Sequence, residues 1–191
     1  VLHAKKTGQG QIVDGSIVDG TANLMAMMYS MFSFDQWEDE REINMLDGGA
    51  PYYTTYKTSD NRDISVGAIE EKFYLEFISK LGFEKGDLPD RHDKANWKKL
   101  KAIFQEKIAL KTMRHWEKEY YGSDACVAPV LNFKEAFEDP HNTHRKIFPK
   151  AFGIIQPKPA PDLSLTPAPP IGNNHKNKIT IKDLSKTWEF E

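Results

Sequence analysis

An acidic, glycine-rich loop and a carboxylate between a strand and a helix are the parts of this chain best placed to do chemistry. Met45-Leu46-Asp47-Gly48-Gly49-Ala50-Pro51 runs directly into the β-rich Tyr52-Tyr53-Thr54-Thr55-Tyr56, and Val66-Gly67-Ala68-Ile69 ends on Glu70, where a helical pattern begins. Two strands leaving such a loop and reaching such a carboxylate make the wall of an active site. A carboxylate there can join general acid–base work once burial and neighbours tune its pKa. Taken alone, Glu70 reads as a first-turn acid favoured by the helix dipole. Asp47-Gly48-Gly49 reads either as a plain turn, glycine supplying positive φ and Asp capping nearby amides, or as a backbone loop that closes on a ligand. If residues 52–57 form a strand, alternate residues share a face, so one of Tyr52 and Tyr53 belongs to the core and Tyr53 to the wall.

Other reactive side chains carry less. His141 and His144 have a spacing that could bind metal, but no Cys or acidic pattern supports it, and they read as loop histidines. Gly8-Gln9-Gly10 is a turn between helix and strand, because a dinucleotide fingerprint needs the strand before the glycines. Cys126, the single cysteine, sits in the apolar run Ala125 to Leu131 and is expected to be a buried, inert core thiol. It excludes a disulfide framework and suits a reducing compartment.

With 191 residues the chain is long enough to bury a real core. Its 26 basic and 28 acidic residues leave a net charge of −2, so no overall field attracts nucleic acid or anionic lipid. The most apolar stretch, Ala22 to Phe34, is interrupted by Asn23, Tyr29 and Ser30, and no membrane span is expected. The expectation is a soluble, intracellular protein.

These residues must be positioned by a mixed α/β framework. Residues 11–14 suggest a short strand, and Ser16 to Phe34 a helix whose apolar residues cover more than one face, hence buried or packed on two sides. Residues 52–57 and 64–69 are β-rich runs around the polar cluster 58–63, which predicts an antiparallel hairpin. Glu70 to Leu81 repeats Phe73, Leu75, Phe77, Ile78 and Leu81 at helical spacing until Gly82. Helices are also predicted over 94–110 and over 112–121, the latter capped by Thr112. A buried strand over 126–131 leads to a helix capped by Asn132 and halted before Pro140. Both ends look cut. The first residues resemble the last turn of a helix with basic residues before a glycine stop, and the prolines between Pro157 and Pro170 favour an extended strap.

Taken together, several segments carry a resemblance. Residues 7–14, the block Met45 to Tyr56, Val66-Gly67-Ala68-Ile69-Glu70, Trp116, Asp124 to Leu131 and Pro159-Ala160-Pro161 are similar, in order, to the racemase branch of the family III CoA-transferases. The likeness runs from residue 5 to about 169. It departs after Ile171-Gly172, where Asn173-Asn174-His175-Lys176 replaces the His-Thr-Glu-like helix start of that branch.

The resemblance implies an α/β fold in which a large Rossmann-like CoA-binding domain is linked to a smaller α/β domain, with two subunits interlocked as a homodimer. On that frame, residues 1–45 would close the large domain and lead out of it, 46–155 would form the small domain, and 156–191 the return segment and tail. The reaction implied is inversion of a 2-methylacyl-CoA at its α-carbon through an enolate, with CoA thioester as substrate and neither cofactor nor metal expected. Two bases on opposite faces are required. One face is served in the family by a histidine hydrogen-bonded to a glutamate, and that glutamate falls on Glu70; a carboxylate there fixes the imidazole tautomer.

The resemblance further implies that Asp47, Gly48, Gly49 and Tyr53 line the thioester and that the methionine cluster, Met28 within it, meets varied branched acyl chains, with ordinary core packing as the other reading of Met28. The family's histidine and aspartate belong upstream of Val1, and none of His3, His92, His115, His141, His144 or His175 has the required setting. The isolated chain is therefore expected to be inactive. A CoA transferase of the same superfamily is the alternative, though residues 64–72 lack its glycine run; a non-catalytic truncated module is the third. Peroxisome or mitochondrion is implied by the family, without a targeting signal in the chain.

Overall fold

A computed structural model describes residues 1–169 of the chain. The hairpin encoded by the polar cluster is present: β1 (Tyr53–Lys57) pairs antiparallel with β2 (Asp63–Gly67), with Tyr53 opposite Gly67 and Tyr56 opposite Ile64. β2 then pairs antiparallel with β3 (Val127–Pro129), giving the order β1-β2-β3. Strand periodicity sorts the side chains: Tyr56, Ile64 and Val66 are buried, while Tyr53, Thr55 and Ser65 turn to the other face. Tyr52 is the core member of the tyrosine pair, at 5% exposure against 37% for Tyr53.

Three helices cover the buried face. α4 (Glu71–Lys80), α5 (Trp97–Ile108) and α6 (Met113–Tyr120) place Phe77, Phe104 and Trp116 against it. The Phe77 and Phe104 rings meet edge to face at 5.1 Å, and Tyr56 meets Phe104 at 6.2 Å. Such geometry suits the ring quadrupoles. Two of the buried polar tips are satisfied by backbone carbonyls: the Trp116 indole donates to Ile108 O at 2.8 Å and the Tyr120 hydroxyl to Phe77 O at 3.0 Å. Thr112 caps α6 by accepting from the His115 amide.

The N-terminal region departs from expectation. α1 (Leu2–Thr7) ends on left-handed Gly8 as predicted. No strand forms over 11–14; Ile12 and Val13 are 98% and 81% exposed, and a strand with no neighbour to pair its backbone gains nothing. The long helix is broken at Met25 into α2 (Ile17–Leu24) and α3 (Ala26–Ser33), and neither buries a residue. The expected two-sided burial fails because no described element covers these apolar side chains.

β2 stops at Gly67 rather than Ile69, and β3 spans three residues because Cys126 has φ +53, which a strand does not tolerate. Cys126 is exposed, so the buried-thiol expectation is overturned by the same left-handed backbone, which turns the residue out of the core.

Backbone contacts divide the chain into two units, Val1–Val130 and Leu131–Glu191. The second opens with α7 (Phe133–Glu138), where Asn132 and Glu135 form a reciprocal capping box. α8 (Pro140–His144) carries His141 and His144, so these are helical rather than loop histidines; Pro140 starts this helix as well as halting the one before it. An unanticipated hairpin, β4 (Lys150–Ala151) with β5 (Ile154–Ile155), turns on Phe152 and Gly153, both at positive φ. Residues 156–169 have neither helix nor strand, as the prolines predict. The departure at Asn173 to Lys176, with His175, and the tail to Glu191 lie outside the described residues. No helix among the described residues is long and apolar enough to cross a membrane.

Candidate active site

The Asp47-Gly48-Gly49 loop is held from inside. Asp47 Oδ1 accepts the Asn44 amide at 2.9 Å and the Gly49 amide at 3.0 Å, and Oδ2 accepts Asn44 Nδ2 at 2.8 Å. Burial works to raise the Asp47 carboxyl, but these hydrogen bonds outweigh it and hold the group below its ordinary value. Asn44, 3% exposed, completes the knot by accepting the Glu38 amide and donating to the Glu38 and Glu40 carbonyls. Asp47 therefore builds the loop rather than presenting a free carboxylate.

Both glycines are required by geometry. Gly48 has φ +94, and its carbonyl accepts from Lys101 Nζ. A Cβ on Gly49 would lie 2.4 Å from Asn44 O and 2.5 Å from Ile43 C, so no side chain fits. The chain passes through this close approach and enters β1 at Tyr53.

Beyond the loop, the outer face of the sheet forms an open cleft of about 470 Å³, lined by Gly48, Tyr53, Thr54, Thr55, Ser65, Val66, Gly67 and Cys126. Gly67 keeps its floor low: a Cβ there would sit 4.0 Å from both the Tyr53 ring and Cys126 Cβ. The Gly67 amide donates to Cys126 O at 2.9 Å, tying the end of β2 to the turn before β3. Desolvation first, then Glu70 and Asp124, raise the Cys126 thiol above its ordinary value, so it stays protonated at neutral pH.

Glu70 follows three residues after Gly67. It is the N-cap of α4, at φ −71 and ψ 145, with no capping hydrogen bond from its side chain. Among the described residues its exposed carboxylate has no partner. Glu71 differs: it pairs with Lys85 at 2.5 Å and Arg91 at 3.1 Å, and the Lys85 hydrogen bond holds it below the ordinary value.

The structure thus joins Gly48 and Tyr53 in one cleft; Asp47, Gly49 and Glu70 do not line it, and Glu70 stands three residues beyond the cleft's Gly67. Met28 is elsewhere, in a second depression of about 370 Å³ with Met25, Tyr29, Phe32, Trp37 and Asp39. The sequence reading put Cys126 in the core instead of the cleft and missed Asn44, Lys101 and Arg91. The polar run after Phe34 gave no periodic signal for Asn44, and Lys101 looked like one of several solvated lysines on its helix.

The model of the family described as CoA-transferase family III matches residues 1–168. Alpha-methylacyl-CoA racemase of Mus musculus is 43% identical over 166 residues, and that of Homo sapiens 42% over the same length; each alignment covers 86% of this chain and 44% of the relative. The chain spans less than half the length of these curated relatives. Among solved structures, Rv3272 of M. tuberculosis superposes with a TM-score of 0.64 at 16% identity, over 87% of this chain and 43% of that one, a likeness of fold.

Proposed function

The chain belongs to CoA-transferase family III, and from that premise we propose that it is the small-domain part of an alpha-methylacyl-CoA racemase. The whole protein epimerises 2-methylacyl-CoA thioesters at the α-carbon. Residues 1–45 close the large CoA-binding domain, 46–155 form the small domain and 156–191 the return; two whole subunits interlock. Peroxisome or mitochondrion is its compartment.

The carrying observation is Glu70, a carboxylate without a partner among the described residues, at the start of α4 and three residues after Gly67 of a cleft whose loop is knotted by Asp47 and Asn44. An α-proton beside a thioester carbonyl is acidic enough for side-chain bases only when the enolate oxygen is stabilised and the base is oriented. Glu70 supplies orientation: its carboxylate accepts the N–H of a histidine, fixes the tautomer and stabilises the imidazolium formed when the proton is taken. Gly48 and Gly49 bring backbone near the thioester, Tyr53 forms the facing wall, and Met28 meets the acyl chain. The histidine and the opposing aspartate belong to the part of the relatives' length that this chain does not span. The isolated chain is therefore inactive.

The test is α-proton exchange from deuterium oxide into a 2-methylacyl-CoA, followed by mass spectrometry. The chain alone gives no exchange. Co-produced with the remainder of the mouse relative, it gives exchange, and Glu70→Gln lowers that rate by roughly 10²-fold or more. Exchange by the chain alone would overturn its inactivity; a formed complex without exchange would overturn the racemase reading.

A further inference from the structure

Arg91 lies in the loop between α4 and α5, yet it is 6% exposed. Its guanidinium lies over two aromatic rings that meet edge to face, 4.9 Å from the Tyr52 centroid and 4.4 Å from that of Tyr74. From that slot Nη1 donates to Ala68 O at 3.2 Å and Nη2 pairs with Glu71 Oε2 at 3.1 Å. The Trp97 indole donates to Arg91 O at 2.8 Å and fixes the backbone behind it. Ala68 and Glu71 flank the two-residue step Ile69-Glu70. The Arg91 fork therefore grips the turn on both sides of the residue that would orient the catalytic histidine.

Stability alone is a poor account of this arrangement. Arg91 Nε and the Tyr74 hydroxyl are both buried without a hydrogen-bond partner among the described residues. A buried guanidinium with an unmet donor is costly, and an apolar residue of similar volume often serves a core as well or better. What an apolar residue cannot do is hold two acceptors three positions apart in sequence at once. Arginine can, because its planar fork presents several donors in fixed directions.

We infer that Arg91 is a positioning residue for Glu70, holding the Gly67–Glu71 turn so that the Glu70 carboxylate keeps one place at the start of α4. This rests on the role proposed for Glu70, and it adds a residue that touches neither substrate nor the reacting atoms.

Cys126 provides the readout. It is the only cysteine, it lies against Gly67, and the charges acting on its thiol are those of Glu70, Asp124, Lys72 and Glu76. The pH–rate profile for alkylation by iodoacetamide, a neutral reagent, therefore reports where the Glu70 charge is. In the otherwise unchanged chain, Glu70→Gln shifts the midpoint of that profile downward, since a nearby negative charge has been removed. With Arg91→Met already in place, the turn is loose and the same Glu70→Gln change shifts the midpoint little or not at all. Arg91→Lys, which reaches one of the two acceptors, restores part of the shift.

Far-UV circular dichroism and a thermal melt accompany each variant; Arg91→Gln replaces Arg91→Met if the latter unfolds. A shift of equal size with and without Arg91, or none in either background, overturns the inference. No acyl-CoA enters the measurement, so failure of the racemase reading in the exchange assay leaves this result standing, and the converse also holds.

Discussion

Asp47 shows how a single carboxylate builds a site without facing it. Its three hydrogen bonds to Asn44 and Gly49 close the loop that places Gly48 at the cleft. Because they hold its pKa below the ordinary 3.8 in the folded chain, Asp47 contributes stability that is fully present above that value. The contribution is lost as pH falls through the lowered folded value. Asp47→Asn should remove that part of the acid dependence, so that acid unfolding followed by circular dichroism becomes shallower in this range. At neutral pH the same change should cost about 1–2 kcal/mol, from weaker hydrogen bonds to a neutral acceptor. Gly49→Ala should cost more, about 2–3 kcal/mol in a urea melt, because its Cβ would press on backbone atoms that cannot rotate away.

The elements were legible where they carry their own partners. The β1–β2 hairpin and the helices α4, α5 and α6 were read from alternation, helical spacing and the Thr112 and Asn132 caps, because each of those signals is local and each element buries its apolar side within Val1–Val130 or begins from a cap of its own. Phe104→Ala should accordingly cost roughly 3–5 kcal/mol, since Phe104 packs on Tyr56, Tyr74, Phe77 and Phe83. Other elements were misread or missed for physical reasons. The strand at 11–14 and the buried helix at 16–34 were drawn from apolar residues whose cover the described residues do not supply. The β4–β5 hairpin turns on Phe152-Gly153, and a bulky residue at positive φ is not a signal that composition gives. Of the cleft, Gly48 and Tyr53 were legible by pattern. Arg91 and Lys101 were not, because a long polar side chain that reaches back to a distant carbonyl leaves no period in the sequence.

At the scale of the molecule, many of the exposed apolar residues fall near the start of the sequence: Ile12, Ile17, Val18, Leu24 and Phe34 are each at least 75% exposed. Where such side chains form one patch, the surface marks an interaction site. A chain that spans 44% of its curated relatives leaves most of their length to provide the cover. On the proposed reading, α2 and α3 pack against the remainder of the large domain, which is why α2 and α3 carry apolar residues all round and bury none here. The isolated chain should then bind a hydrophobic dye such as ANS strongly and associate at micromolar concentration in analytical ultracentrifugation. Adding the remainder of the mouse relative should abolish the dye signal. It should also stabilise the chain by about 2.7 kcal/mol at one hundred times the dissociation constant, because a partner that binds only the folded form shifts unfolding by mass action. The chain would instead melt cooperatively as a dye-silent monomer, unaffected by that partner, if its apolar helices needed no cover. That outcome would remove the whole-molecule account while leaving the geometry around Glu70 as it stands.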